Sequence, residues 1–91
     1  MNAALKLRPN AVATIDSRGF VYLKMKNDVA AIADYNTALK IRSDIASSLY
    51  GRGLTKAASG DSAGSDADIA AAKTHDPNIA EEFAGWGVPG K

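Results

Sequence analysis

The sequence predicts an all-α fold of stacked helical hairpins, and three observations predict it. The chain matches itself when shifted by 34 residues. Helix-capping residues recur at the same interval, and turn residues break each interval once in the middle and once at its end. The shift lays Asn2-Ala3-Ala4-Leu5-Lys6-Leu7-Arg8 on Asn36-Thr37-Ala38-Leu39-Lys40-Ile41-Arg42, and Arg18-Gly19 on Arg52-Gly53. It also lays Ala33-Asp34 on Ala67-Asp68, and Ile45-Ala46 on Ile79-Ala80. A period in this range marks architectures in which each unit is one supersecondary element and neighbouring units bury a shared core.

By register Met1 falls on Tyr35, so residues 1–9 read as the end of a second helix and predict that the chain begins inside an earlier unit. Residues 10–43 read as helix, turn, helix. Asn10 and Asp28 are the expected N-caps, because a short side-chain oxygen there can accept a free first-turn N–H. Residues 44–77 repeat the plan, with Asp44 and Ser62 as expected caps and a turn at Gly60-Asp61-Ser62. Residues 78–91 read as a closing helix from Asn78 to Val88, stopped by Pro89-Gly90. Glu81 and Glu82 in its first turn suit the helix dipole, and Trp86 is expected to pack this helix onto the second hairpin. Ile15, Gly19 and Tyr22 share one helical face. A helical glycine costs about 1 kcal/mol against alanine, so one that recurs, as at Gly19 and Gly53, implies close helix packing. Arg18 recurs with Asp34 as Arg52 recurs with Asp68, which predicts a structural Arg–Asp pair in each unit.

The spacing resembles the tetratricopeptide repeat. The first unit matches at Ile15, Arg18-Gly19, Tyr22, Ala31, Tyr35, Ala38 and Ser43. The second reads Leu49, Arg52-Gly53, Lys56, Ser65, Ile69, Ala72 and Pro77; Lys56 and Ile69 replace the usual aromatics, Ser65 the alanine, and Arg18 and Arg52 stand where leucine is commoner. The resemblance implies a short right-handed α-solenoid in which Ile15, Gly19, Tyr22, Ala31, Tyr35, Ala38, Leu49, Gly53, Ile69 and Ala72 serve the scaffold. It also implies that the first helix of each unit lines a concave surface. That surface takes in Ala13, Asp16, Ser17, Phe20 and Leu23, then Ser47, Tyr50, Gly51 and Leu54. Asp16, Phe20, Leu23, Tyr50 and Leu54 are the candidate partner-binding residues, with Phe20, Tyr50 and Leu54 as an apolar strip and Asp16 at its margin. The Lys, Asn and Arg residues with which co-chaperone members hold a peptide carboxylate are not matched here. The implied function is a protein–protein interaction scaffold that binds a segment of a protein or peptide partner in the groove. The alternative is a structural C-terminal part of a larger repeat protein, or a module that self-associates into a homo-oligomer through its N-terminal edge.

Composition narrows the other classes. Eleven Lys and Arg stand against ten Asp and Glu, spread without a basic block, which gives no footprint for nucleic acid. No apolar stretch approaches the length of a membrane span. With no cysteine, disulfides and thiolate metal sites are excluded and the compartment stays open. The expectation is a soluble chain, cytoplasmic, or periplasmic if an upstream signal peptide is missing. Gly60-Asp61-Ser62-Ala63-Gly64 matches the nucleophile-elbow spacing, but that chemistry needs a strand-to-helix turn and a paired histidine, and the only histidine is His75. Asp61, Asp66 and Asp68 lack the ligand alternation of a calcium loop. No catalytic residue, metal site or cofactor is expected, so the chain reads as a non-enzyme. Two full units fall short of the three a stable stack usually needs, which predicts a monomer of modest stability.

Overall fold

The computed structural model describes residues 11–88. The helix expected over residues 1–9, the cap at Asn10 and the stop at Pro89-Gly90 lie outside the described residues. Five helices follow one another: α1 (Ala11–Lys24), α2 (Asp28–Ile41), α3 (Ala46–Ala58), α4 (Ser62–His75) and α5 (Ile79–Gly85), with no strand among the described residues. α1 packs along α2 and α3 along α4, as two hairpins. α3 also packs on α2 and touches α1, while α5 rests on α3 and α4. The architecture is an all-α, tetratricopeptide-like solenoid.

The turn inside each hairpin is built the same way. Lys26 and Gly60, one period apart, both take the left-handed backbone, with φ 62° and 93°. Each closes its helix by two crossed bonds. Lys26 N donates to Leu23 O at 3.0 Å and Asn27 N to Tyr22 O at 2.9 Å; Gly60 N donates to Ala57 O at 3.1 Å and Asp61 N to Lys56 O at 2.8 Å. This is the Schellman arrangement, in which the left-handed residue is usually glycine.

The residue that ends the first helix also begins the second. The Asn27 side chain accepts from Ala30 N, and the Asp61 side chain accepts from Gly64 N. The caps expected at Asp28 and Ser62 are therefore displaced by one residue: both are already the first residue of their helices. The first helices differ from expectation too. Ile45, not Asp44, is the N-cap of α3, and Asp44 lies 3.5 Å from Arg42 instead. Asn78 precedes α5 without a side-chain cap bond. A non-glycine residue in the left-handed region carries roughly 1 kcal/mol or more of strain. Lys26→Gly is therefore expected to raise stability by about 1 kcal/mol in urea unfolding, and Gly60→Ala to lower it.

The core forms where the repeat places large and small residues against each other. Tyr35, fully buried on α2, lays its ring between the backbones of two helices: a Cβ on Gly19 of α1 would stand 3.0 Å from Tyr35 Cε1, and one on Gly51 of α3 would collide with Cζ and the hydroxyl. Leu39, Leu49, Tyr50, Ala72, Ile79 and Phe83 form the cluster that joins the second hairpin to α5. Of the positions marked by the repeat, Gly19, Ala31, Tyr35, Ala38, Leu49, Gly53 and Ala72 are buried, and Ile15, Tyr22 and Ile69 are half-buried. Ser65 stands one period from Ala31, fully buried like it, and its hydroxyl has no hydrogen-bond partner. An unpaired buried hydroxyl costs roughly 1–3 kcal/mol, so Ser65→Ala is expected to shift the unfolding midpoint upward.

Candidate functional site

The helices that carry the expected binding strip, α1 and α3, are bridged by α5. Phe83, buried on α5, meets the Tyr50 ring at a centroid distance of 4.8 Å and the Phe20 ring at 5.5 Å. Tyr50 is only 3% exposed. The strip of Phe20, Tyr50 and Leu54 is thus not an open surface: Tyr50 belongs to the core, Leu54 and Leu23 are half-buried against it, and Phe20 is covered on one side. The reason is physical. An aromatic strip on a helix face is the surface a closing helix buries most profitably, and Phe83 supplies the matching ring. Gly51, also assigned to the concave face, is buried beneath Tyr35.

What stays open is a groove of about 350 Å3, at the small end of the roughly 300–1,000 Å3 typical of ligand clefts. α1 contributes Asp16, Ser17, Phe20 and Val21, and α3 contributes Ser47. Tyr35 closes the interior side, while Phe83 and Trp86 form the far wall. Trp86 follows the end of α5, where Gly87 takes φ 91° and Val88 N returns to Phe83 O at 2.9 Å. The helix therefore ends before the expected Pro89-Gly90 stop. Trp86 does not pack on the second hairpin as expected. It stands edge-on to Phe20 of α1 with centroids 5.8 Å apart, and is 49% exposed. Val21 beside it is 53% exposed.

The polar end of the groove is Asp16. Its two carboxylate oxygens accept the hydroxyls of Ser48 at 2.6 Å and Ser47 at 2.7 Å. No Lys or Arg among the described residues forms an ion pair with it. The Tyr35 hydroxyl is buried with no hydrogen-bond partner. Burial, with the nearby charges of Asp16 and Asp34 adding to it, raises its pKa far above the ordinary tyrosine range, so it stays protonated.

The Arg–Asp pairs lie elsewhere and serve the scaffold. Arg18 Nε and Nη2 each donate to Asp34 at 2.8 Å. Arg52 donates to Asp68 at 2.8 and 3.0 Å, and its Nη1 reaches Asn36 on the first hairpin at 2.8 Å. Lys56, which replaces the aromatic of the first unit, joins Asp68 at 3.1 Å. Burial alone would raise the Asp68 pKa, but the hydrogen bonds and charges of Arg52 and Lys56 outweigh it and hold the carboxyl below its usual value. A depressed carboxyl contributes stability that is present above the unfolded value, about 3.9, and is lost as pH falls through the folded value. Urea midpoints at neutral pH and near pH 3 are expected to differ less for Asp68→Asn than for the wild type. A double-mutant cycle is expected to give a larger coupling for Arg52–Asp68 than for the more exposed Arg18–Asp34.

A larger cleft of about 490 Å3 between α2 and α3 is lined by Asn36, Leu39, Lys40, Ser43, Leu49 and Arg52. Its guanidinium is already committed to Asp68 and Asn36, and it offers no aromatic surface. Ser62 and His75 are the first and last residues of α4, separated by about 20 Å of helix. No helix among the described residues is long and apolar enough to cross a membrane.

Sequence reasoning named Asp16, Ser17, Phe20 and Ser47 but missed Val21, Tyr35, Phe83 and Trp86 as groove residues. The register held a signal for two of them. Phe83 continues the series Ile15, Leu49, and Trp86 stands where Arg18 and Arg52 stand in the two units. An arginine there faces an aspartate on the following helix, and a tryptophan at that position implies a different neighbour.

No family model matches the chain, and no solved structure matches it. Among curated proteins it is 35% identical over 81 residues to the TPR repeat-containing thioredoxin TDX of Arabidopsis thaliana. The match takes in 87% of this chain and 21% of that protein, so the chain spans about a fifth of its relative's length. The internal period, the paired hairpins and this similarity together describe a chain of tetratricopeptide-like helical repeats.

Proposed function

We propose that the chain is a protein–protein interaction module that binds a segment of a partner in the groove between α1, α3 and the end of α5. The observation that carries this reading is the open aromatic wall. Phe20, Val21 and Trp86 leave apolar surface in a concave site on a rigid helical stack, and aromatic side chains so placed are frequent anchors of binding energy. Similarity to a repeat-containing protein supports the same class of function. The reading assigns the chain no catalytic role.

The test is a pull-down from native lysate with the wild type and Trp86→Ala, after circular dichroism shows both folded. A partner retained by the wild type and lost by the variant supports the groove. An identical partner list for both proteins counts against it. A second reading, self-association, is favoured by Met25 and Val29, 64% and 83% exposed around the first hairpin turn. Sedimentation that shifts with concentration in the wild type but not in Met25→Lys/Val29→Lys would support it.

A further inference from the structure

We propose that the groove recognises a basic side chain, Lys or Arg, of an extended partner segment. This inference rests on the groove reading above and deepens it by naming what the groove selects. Three observations converge. Asp16 is a carboxylate inside the groove whose partners among the described residues are two hydroxyls, Ser47 and Ser48, with no cation. A carboxylate has about four lone-pair sites, so two hydroxyls leave it free to accept more. Tyr35 lines the same groove, and its buried hydroxyl has no hydrogen-bond partner among the described residues. An ammonium or guanidinium head offers several donors and no acceptor, and suits the open lone pairs of Asp16.

The third observation is the wall. Phe20 and Trp86 present aromatic carbon along the route from solvent to Asp16. Long basic side chains lay their methylene stems on such surfaces while the head seeks charge, and the ring faces themselves attract cations. The protein already shows this chemistry at the opposite end. Its own Lys24 Nζ stands 5.7 Å from the Phe20 centroid and 3.4 Å from the Trp86 carbonyl. Lys24 and Asp16 lie one helical turn to either side of Phe20 on α1, so the uncompensated charge of the groove is at the Asp16 end. An acidic segment would meet Asp16 as a like charge. An apolar one would leave the Asp16 charge without a cation.

The experiment pans a phage-displayed random-peptide library on the wild-type chain. The winning consensus peptide is then titrated while fluorescence is followed from Trp86, the single tryptophan. The expected result is a shared Lys or Arg among the winners, a change in Trp86 emission on binding, and affinity weakened roughly tenfold by Asp16→Asn. Replacing the peptide's basic residue by norleucine should cost the wild type as much, and cost Asp16→Asn little further. Because Asp16 also holds Ser47 and Ser48, this change on the peptide, made with the protein untouched, keeps the test independent of folding. Winners that alter Trp86 emission but share no basic residue, or that bind Asp16→Asn equally well, overturn the inference and leave the groove reading standing. Winners that leave Trp86 emission unchanged overturn both.

Discussion

Phe83→Ala is expected to lower stability by about 3–5 kcal/mol, the usual cost of truncating a buried phenylalanine. The side chain is 1% exposed and touches three rings: Phe20 on the first hairpin, Tyr50 on the second, and its own neighbour Trp86. It therefore fastens α5 to both hairpins at once. Small domains are stable by roughly 5–15 kcal/mol in all, so the variant should sit near the edge of folding. Urea unfolding gives the size of the effect, and hydrogen exchange gives its place. Amides of α5 should lose protection first, and those of α2 last. Trp86→Ala, at a half-exposed ring, is expected to cost far less. Equal losses from the two substitutions would mean that α5 does not dock through Phe83.

Gly51→Ala is expected to destabilise the chain by about 1–3 kcal/mol, the range for forcing extra volume into a packed core. The sign makes this informative. Gly51 lies inside α3, where alanine is ordinarily favoured over glycine by about 1 kcal/mol. The added Cβ, however, would run into Cζ and the hydroxyl of Tyr35, a fully buried ring that also has the Gly19 backbone within about a carbon's reach. In a Tyr35→Leu background the same substitution should become neutral or stabilising, as read by a double-mutant cycle on urea midpoints. Gly85→Ala is the matched control: nothing stands within 4 Å of a Cβ there, and the change is expected to stabilise.

The repeat made the hairpins legible because it acts through local rules. Period, caps and turn residues determine where helices start and stop, and Arg18 with Asp34 was readable because the pair recurs as Arg52 with Asp68. The caps were misplaced by one residue because Asn27 and Asp61 do two jobs, one by backbone and one by side chain, and composition cannot tell such a residue from its neighbour. The binding strip was less legible. Tyr50 looks like a surface aromatic in the register of a first helix, and only the tertiary position of Phe83 turns it into core. Tyr35 occupies a scaffold position of the repeat, yet it also lines a groove that no local pattern announces. Trp86 meets the first hairpin because α5 ends at Gly85 and the chain turns at Gly87, which sets the ring beside Phe20.

The most direct test of the interaction reading is site-specific photo-crosslinking in native lysate, with a photoreactive phenylalanine analogue at one of two exposed positions. At Val21 the probe sits on the rim of the groove; at Lys73 it sits on α4, outside it. The expected result is a discrete protein adduct from Val21, suppressed by Trp86→Ala, and none from Lys73. Adducts of equal yield and identity from both positions, or a Val21 adduct indifferent to Trp86, would contradict the claim that partners are held between α1, α3 and the end of α5.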